Sequence, residues 1–195
     1  KVLYLDVDTI VLADPTPMVD AAFEGVHHGC AIAIAHRPKP LLQSLNLTHR
    51  AVVALGLSAL SSHALSFNAG VMLLNLDAWR AGGLTWRVQK LARSLSAAGF
   101  RGLPGMSTPA DSQSVLCLFF QNTSSAIQEI PATWNVDGLG WKLELLHSNE
   151  LCAARALHWS GSNKPWLQPT ASVSARSRQY RRLWRMFGGG QGAEM

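Results

Sequence analysis

Two carboxylates near the start of the chain are the first residues whose types and spacing could do chemistry. Asp6 and Asp8 follow the apolar run Val2–Leu5 and are separated by one residue. Side chains in a strand repeat with a period of two, so both carboxylates point to the same side. Carboxylate oxygens suit Mg²⁺ or Mn²⁺, and two neighbouring carboxylates repel each other unless a cation or a shared proton intervenes. The alternative is a strand that runs into a turn, with Asp8 capping the residues that follow.

A second chemical segment lies late in the chain, in the stretch HWSGSNKPW at residues 158–166. His158 could offer a neutral imidazole to a metal ion. Gly161 has no side chain and would let backbone amides approach an anion, and Lys164 carries a point charge for a phosphate. Taken alone, His158 is better explained as an ordinary core or surface histidine than as a ligand.

A third segment, FNAG at residues 67–70, precedes the apolar run VMLLNL at residues 71–76. We interpret the apolar run as a strand. Gly70 would permit either close backbone approach or an unusual φ at the entrance to that strand.

These segments need an α/β framework to position them. Val2–Leu5 lacks polar alternation and is predicted to be a strand buried on both faces of a parallel sheet, whose carboxyl edge is the usual ligand-binding edge. The prolines at 38 and 40 are predicted to end a second buried strand at residues 30–35. The remaining predicted elements are a loop and short helix at 9–20, a helix capped by Asp77, a break at Gly82 and Gly83, a helix at 85–98, a helix at 111–121 capped by Asp111 or Ser112, a strand at 127–130, a loop at 131–141, a helix end or short strand at 151–158 and a basic C-terminal helix.

Composition indicates a globular protein. The chain has 195 residues, of which 48% are hydrophobic and 15% charged, and no apolar run reaches the roughly 18 residues of a membrane span. We predict one domain over residues 1–187 and a disordered tail over 188–195. The three cysteines, Cys30, Cys117 and Cys152, lack metal-type spacing and are predicted to be buried.

The net charge of +5 is concentrated in the C-terminal segment. One interpretation is a phosphate-binding patch, and the other is a solvated basic helix face whose opposite side docks on the protein through Tyr180, Trp184 and Phe187. We favour the helix face and expect no nucleic-acid partner. The arginines concerned are Arg176, Arg178, Arg181, Arg182 and Arg185.

The order of these segments resembles the family-8 glycosyltransferases, which are retaining enzymes of the GT-A fold. The resemblance extends to about residue 186 and implies an α/β, Rossmann-like three-layer α/β/α architecture with a mixed central sheet. It is close to the eukaryotic glycosyltransferase 8 domain-containing branch. The matching stretches are VLYLDVDTIV (2–11), FNAGVMLLNLDAWR (67–80), ATWNV (132–136) and HWSGSNKPW (158–166).

The resemblance implies that Asp6 and Asp8 form the family's DxD motif and bind Mn²⁺, with Mg²⁺ as the alternative. His158 would complete the protein's share of the metal shell. Gly161 and Lys164 would hold the diphosphate of a UDP-sugar donor.

The resemblance further places the donor sugar beside Asn68 and the backbone of Ala69 and Gly70. One departure concerns the family's DQDxLN motif, which aligns with residues 112–117. Gln113 matches, whereas serines stand in place of the aspartates and Asp111 lies one residue away. The candidate catalytic residues are therefore Asn68, Asp111 and Gln113.

For the whole protein, the resemblance implies a glycan, protein or lipid acceptor and a Golgi or secretory-lumen location, with the cytoplasm as the alternative. Because Lys1 already lies inside a predicted strand, we expect the chain to be part of a longer protein. The uracil- and ribose-binding part, and any membrane anchor, would then precede it, and this fragment alone would be inactive.

Two other functions compete with transfer. A transferase-like domain could bind a nucleotide-sugar or a partner without turnover, which the serines at 112 and 114 favour. A haloacid dehalogenase-like phosphatase would use Asp6 as its nucleophile, but it needs a late acidic pair for Mg²⁺ that this sequence lacks. Such enzymes also prefer Thr or Val at the position of Ile10.

Overall fold

The computed structural model describes residues 1–24, 30–100, 111–123, 127–140, 148–167 and 175–187. Strands and helices alternate irregularly along these segments. In chain order they are β1 Val2–Leu5, β2 Thr9–Val11, α1 Thr16–Ala21, β3 Ile32–Pro40, α2 Leu41–Ser44, α3 His49–Ala54, β4 Leu65–Leu74, α4 Leu76–Ala81, α5 Leu84–Ala97, α6 Ser112–Asn122, β5 Ile127–Glu129, a 3₁₀ turn Ala132–Trp134, α7 Ser148–Ala153, β6 Ala156–His158 and α8 Ala175–Phe187.

The chain divides into two compact units. The first contains Lys1–Tyr4 and Met18–Ile130, and the second contains Leu5–Pro17 and Pro131–Met195. Neither the prediction of one domain over residues 1–187 nor that of a disordered tail is tested by this division, and the tail lies outside the described residues.

The first unit is built on a four-stranded sheet with the order β1-β4-β3-β5. β3 pairs antiparallel with β4 and parallel with β5, so the sheet is mixed, as the resemblance implied. Ile32, Ile34 and Phe67 lie in its core together with Leu118 and Phe120 of α6. This confirms the prediction that the helix near residues 111–121 is buried.

β1 is a strand, as predicted, but the prediction that it is buried on both faces is wrong. Val2, Tyr4 and Leu5 are 42%, 43% and 37% exposed. β1 stands at the end of the sheet order, so only β4 pairs with it among the described strands. An apolar run indicates a strand but does not show whether that strand is central or at an edge.

β3 continues to Pro40 instead of ending near Ala35. The register of its pairing with β4 shifts on both sides of His36, which lets the ladder pass residues that lack an N–H. β5 pairs with residues 32–34, so among the described strands the proline-containing half of β3 has β4 alone as its partner. Proline is tolerated where a strand has such a free side.

The helix boundaries mostly follow the predicted signals. Asp111 caps α6 through its side chain, as predicted. Gly82 ends α4, and Gly83, with φ 57°, precedes α5, so the glycine break is confirmed. Asn75, and not Asp77, caps α4, because its side chain accepts the Ala78 N–H.

The second unit is organised by the antiparallel pair β2–β6, in which Thr9 faces His158 and Ile10 faces Leu157. β2 falls where a loop was predicted, because three residues are too few to show a period. Its small core brings these strands against the chain that precedes α7 and against α8, through Ile10, Leu139, Leu157, Trp159 and Tyr180.

α8 is a helix, as predicted, and it docks through Tyr180 and Trp184. The centroid of the Trp184 ring lies 5.2 Å from the ring centroid of Trp159 and 5.6 Å from that of Trp166. Phe187 is 55% exposed, so its predicted docking is wrong. Arg181 is buried and donates to the Leu167 carbonyl oxygen, so this arginine is not part of a solvated basic face.

Two of the three cysteines fit the prediction. Cys30 and Cys117 are buried, whereas Cys152 is exposed at the end of α7, where the prediction of burial is wrong.

Across the described segments, no helix combines the length and apolar character that crossing a membrane requires.

Candidate active site

The two chemical segments from opposite ends of the chain meet in the second unit. The β2–β6 pairing places Thr9 against His158, one residue beyond Asp8. The Trp159 N–H donates to the Asp8 carbonyl oxygen at 2.8 Å, and the Thr9 N–H donates to the Asp6 carbonyl oxygen at 3.1 Å. The backbone therefore fixes both aspartates relative to the end of β6.

Asp6, Asp8 and His158 form one cluster of potential metal ligands, whose ligand atoms all lie within 4.8 Å of one another. His158 Nε2 is 3.5 Å from Asp6 Oδ2 and 3.4 Å from Asp8 Oδ1. The side chains of Asp8 and His158 are 5% and 2% exposed, while that of Asp6 is 38% exposed. The cluster thus has two buried members and one that faces solvent.

The geometry fits a hard divalent cation. Separations of 3.4 and 3.5 Å exceed the usual range of about 2.7 to 3.2 Å for a hydrogen bond to nitrogen. Neighbouring ligands around an octahedral ion with bonds of about 2.1 Å lie about 3 Å apart, so these atoms need only a small adjustment. Two carboxylates and one imidazole suit Mn²⁺ or Mg²⁺ and leave further coordination positions for other oxygen ligands.

Lys164 lies on the same cluster. Its ammonium group contacts Asp8 Oδ2 directly and donates to the Trp159 carbonyl oxygen at 3.2 Å. Asp8 therefore has one carboxylate oxygen toward His158 and the other toward Lys164. One positive charge beside two negative ones leaves the group with a net attraction for a cation.

The loop that carries Lys164 is held against Gly140. The Gly140 N–H donates to the Ser160 carbonyl oxygen at 3.1 Å, and the Asn163 N–H donates to the Gly140 carbonyl oxygen at 3.0 Å. A Cβ at Gly140 would lie 2.8 Å from that Ser160 oxygen. Gly161 adopts φ 117°, a conformation that few residues other than glycine accept. The loop's path therefore depends on both glycines.

Asn135 is a site residue that the sequence-based argument did not assign, although it lies within the matching stretch ATWNV. Its Oδ1 is 3.1 Å from His158 Nδ1, on the opposite side of the imidazole from the two aspartates. Both residues are buried. No sequence signal links them, because the contact joins a loop to a strand through space.

The residues predicted to lie beside the donor sugar form a group within the first unit. The Gly70 N–H donates to Asn68 Oδ1 at 2.8 Å, and the Ala69 N–H donates to Gln113 Oε1 at 3.1 Å. Gly70 is not among the described glycines with positive φ, so the option of an unusual φ is wrong. Their role in binding sugar stays a prediction.

Asp111 is engaged by its own helix. Its Oδ1 accepts the Ser114 N–H at 2.9 Å, and its Oδ2 accepts the Ser114 hydroxyl. The residue is 9% exposed. These contacts make Asp111 a cap that orients the start of α6, where Gln113 lies, and its catalytic role stays a prediction.

Comparison with solved structures identifies the fold. The galactosyltransferase LgtC in complex with donor and acceptor sugar analogs superposes with a TM-score of 0.54 at 18% identity, over 95% of this chain and 60% of that one. Mouse xyloside xylosyltransferase 1 gives 0.52 at 19% identity, over 80% and 56% of the two chains. The fold is that of the GT-A glycosyltransferases. Residues 1–170 match the model of glycosyl transferase family 8, and the chain belongs to this family.

Curated relatives agree with this assignment. Human glycosyltransferase 8 domain-containing protein 2 is 28% identical over 188 residues, which cover 87% of this chain and 50% of the relative. Probable galacturonosyltransferase 7 of Arabidopsis thaliana is 26% identical over 172 residues, covering 86% and 24%. The chain therefore spans half the length of the human relative and a smaller share of the plant one.

Proposed function

We propose that this chain contributes to metal-dependent, retaining transfer of a hexosyl or related sugar from a UDP-sugar to an acceptor. The observation that carries the proposal is the cluster of Asp6, Asp8 and His158, with Lys164 in contact with Asp8. Membership of glycosyl transferase family 8 supports glycosyl transfer as the reaction class.

Asp6, Asp8 and His158 would hold Mn²⁺, or Mg²⁺ in its place. The bound ion would supply Lewis-acid stabilisation of negative charge on a leaving diphosphate. Lys164 adds a second positive charge beside Asp8, of the kind that stabilises an oxyanion as it develops. Gly161, through its φ of 117°, gives the loop the path that places Lys164 there.

In the first unit, Asn68, the backbone of Ala69 and Gly70, and Gln113 would contact the donor sugar. Asp111 would act indirectly by capping α6 and fixing Gln113. No carboxylate of the described site is assigned as a covalent nucleophile. The mechanism we propose is therefore a same-face substitution, in which the leaving phosphate helps to deprotonate the acceptor hydroxyl.

The proposed acceptor is a glycan, a protein or a lipid, and the proposed location is the Golgi or secretory lumen.

Neither the site nor the comparisons give the phosphatase alternative any support, because the matched family and the matched structures are glycosyltransferases.

One observation favours a second candidate, a transferase-like domain that binds a nucleotide-sugar without turnover. Ser112 and Ser114 stand where many family members have aspartates, and the nearest carboxylate, Asp111, is occupied by Ser114. Such a domain would keep the metal cluster while lacking part of the donor-sugar contacts.

The test is release of UDP by the full-length protein from UDP-glucose, UDP-galactose and UDP-xylose, with Mn²⁺, with Mg²⁺ and with a chelator. We expect metal-dependent release that falls at least roughly 100-fold in Asp8→Asn, because an electrostatic contact of this kind is worth about 3 kcal/mol. Asp14→Asn is the matched control, since Asp14 is an exposed carboxylate whose described contacts are local, with the backbone N–H and the side chain of Thr16.

Equal rates for the wild type and Asp8→Asn would overturn the metal-dependent mechanism. Binding of Mn²⁺ and UDP without release from any of the three donors would instead favour the non-catalytic candidate. The Asp14→Asn control separates a specific loss at the cluster from a general effect of removing one negative charge.

A further inference from the structure

We infer that Asn135 is a positioning residue of the metal site. Its side-chain amide holds His158 as the tautomer with the proton on Nδ1 and thereby leaves Nε2 available for a divalent cation. The inference rests on the proposed function, because it assigns a role to Asn135 in the same site.

The hydrogen-bonding atoms determine the direction of this contact. Asn135 Oδ1 lies 3.1 Å from His158 Nδ1, and an amide oxygen can only accept a hydrogen bond. Nδ1 must therefore be the donor. A neutral imidazole carries one N–H, so Nε2 then presents a lone pair, and it does so toward Asp6 and Asp8 at 3.5 and 3.4 Å.

Because both side chains are buried, the contact favours one tautomer and one orientation of the imidazole. Asn135 is 7% and His158 is 1% exposed, so water has little access to replace either partner. A buried polar atom left without a partner is destabilising by about 1 to 3 kcal/mol. Rotation of the imidazole by half a turn would remove Nδ1 from the amide and turn a different ring edge toward the carboxylates. The amide therefore fixes both the tautomer and the ring orientation.

The backbone holds Asn135 rigidly beside β6. Its N–H donates to the Ala132 carbonyl oxygen at 3.0 Å, which closes the 3₁₀ turn. The next residue, Val136, bridges to Leu157, and the His158 N–H donates to the Val136 carbonyl oxygen at 3.0 Å. Asn135 is thus anchored on both sides to the elements that carry its partner.

Outer contacts of this kind orient the ligands of many metal sites, and their loss commonly weakens metal binding by about 10- to 100-fold. The test compares Asn135→Leu, which removes the acceptor at similar volume, with Asn135→Asp, which keeps an acceptor oxygen. Free Mn²⁺ is measured by electron paramagnetic resonance during titration of the 195-residue chain. We expect affinity to fall about 10- to 100-fold in Asn135→Leu and to change by less than about threefold in Asn135→Asp.

Asn149→Leu is the control for replacing an asparagine in the second unit. Asn149 is exposed, and its side chain accepts only the N–H of the next residue, Glu150, among the hydrogen bonds described for it. We expect its Mn²⁺ affinity to equal that of the wild type.

A second measurement reads the tautomer directly and needs no metal. In chain labelled with ¹⁵N-histidine, long-range ¹H–¹⁵N correlation spectra at pH 8 distinguish protonated from unprotonated ring nitrogens, and His158→Gln assigns the signals. We expect Nδ1–H for His158 in the wild type and in Asn135→Asp. Asn135→Leu should show a mixture of both tautomers.

Wild-type Mn²⁺ affinity in Asn135→Leu would overturn the inference and leave the proposed function standing. So would an Nε2–H tautomer in the wild type, a result that does not depend on whether Asn135→Leu folds. A wild-type chain that binds no Mn²⁺ would overturn the proposed metal site itself, and with it the role of Asn135 in that site.

Discussion

Asp8 shows how much of the site's behaviour is set by single atoms. One carboxylate oxygen faces His158 Nε2, the other contacts the Lys164 ammonium, and the backbone carbonyl accepts the Trp159 N–H. The side chain is only 5% exposed. Lys164 therefore neutralises a buried charge, and under the proposed function a metal ion at the cluster would take over part of that neutralisation.

The first prediction concerns Lys164→Met. Without metal, we expect the free energy of unfolding to fall by about 1 to 2 kcal/mol, because the buried Asp8 carboxylate loses its cationic partner. The loss is limited because the Lys164 side chain is partly exposed, which weakens the ion pair that is removed. Saturating Mn²⁺ should reduce this deficit, since the ion supplies the missing positive charge. Urea unfolding followed by circular dichroism, with and without Mn²⁺, measures both values.

Lys39→Met is the control for this measurement, because Lys39 is an exposed lysine of β3 in the other unit. A Lys164→Met deficit that is the same at all Mn²⁺ concentrations would contradict the idea that Lys164 and the ion neutralise the same carboxylate.

A second prediction concerns pH and Cys117. Burial raises the pKa of this thiol from 9.0 to about 12. The unfolded chain therefore ionises the thiol first, so the stabilising effect is complete below pH 9 and is lost as the pH rises toward 12. We expect the wild type to lose about 2 kcal/mol more between pH 8 and pH 10.5 than Cys117→Ala does.

Guanidinium unfolding of both proteins at the two pH values gives the comparison. Parallel loss in the two proteins would show that Cys117 stays protonated in the unfolded chain or ionises in the folded one. The wild type and Cys117→Ala share all other groups that titrate at alkaline pH, so these cancel in the difference.

At the level of residues, the sequence predicted what local spacing can encode. The period of two in a strand predicts that Asp6 and Asp8 share one side. Both carboxylates do face His158, but neither residue lies in a strand, and the turn between β1 and β2 brings them there. The family resemblance adds His158 and Lys164, which the structure brings to them. Asn135 escaped assignment because its contact with His158 is not local. The proposed binding and catalytic roles of all these residues stay predictions.

The elements that position the site are short and depend on each other. β2 and β6 have three residues each. β2 was predicted to be a loop, and β6 was predicted as either a helix end or a short strand, because such strands are too short for a periodic pattern. The exposed face of β1 was missed for another reason, since edge position is a property of the whole sheet. Helices with side-chain or glycine signals at their ends, such as α6 after Asp111, were placed correctly.

The third prediction tests the loop that follows β6. In Gly140→Ala the new Cβ would meet the carbonyl oxygens of Ser160 and Trp159 at 2.8 and 2.9 Å. These are backbone atoms, so the loop must move. We expect a loss of stability of about 1 to 3 kcal/mol and a weaker affinity for Mn²⁺, because Trp159 also donates its N–H to the Asp8 carbonyl oxygen.

Gly56→Ala is the comparison for this variant. A Cβ there meets nothing within 4 Å, but the φ of 72° makes the substitution strained by about 1 to 2 kcal/mol. It should lower stability by a similar amount and leave Mn²⁺ affinity unchanged. If Gly140→Ala behaves in the same way, the loop path does not affect the metal cluster.

On the scale of the whole chain, the two units differ in the size of their cores and in which of them holds the candidate metal ligands. The first holds the larger core, around β3, β4 and α6, and the second holds a small core around Ile10, Leu157 and Trp159. All three candidate metal ligands belong to the second unit. Under the proposed function, a bound ion would therefore stabilise the unit with the smaller core.

The fourth prediction follows from this division. At a free Mn²⁺ concentration of 100 times the dissociation constant, binding adds about 2.7 kcal/mol to the unit that holds the ion. We expect hydrogen exchange in peptides covering β2 and β6 to slow by up to about 100-fold, with much smaller changes in β3 and β4. Mass spectrometry with and without Mn²⁺ measures both sets of peptides, and Asp8→Asn provides the chain that cannot respond.

The pairing of Thr9 with His158 also has a kinetic meaning. Asp8 meets His158 only after a loop of roughly 150 residues has closed, and the entropy lost on closure grows with the logarithm of loop length. Contacts of such large sequence separation form slowly, after local helices and the β3–β4 hairpin-like pair. During synthesis, His158 can reach Asp8 only after the roughly 150 residues between them have been made. The cluster therefore assembles after the local helices and the β3–β4 pair.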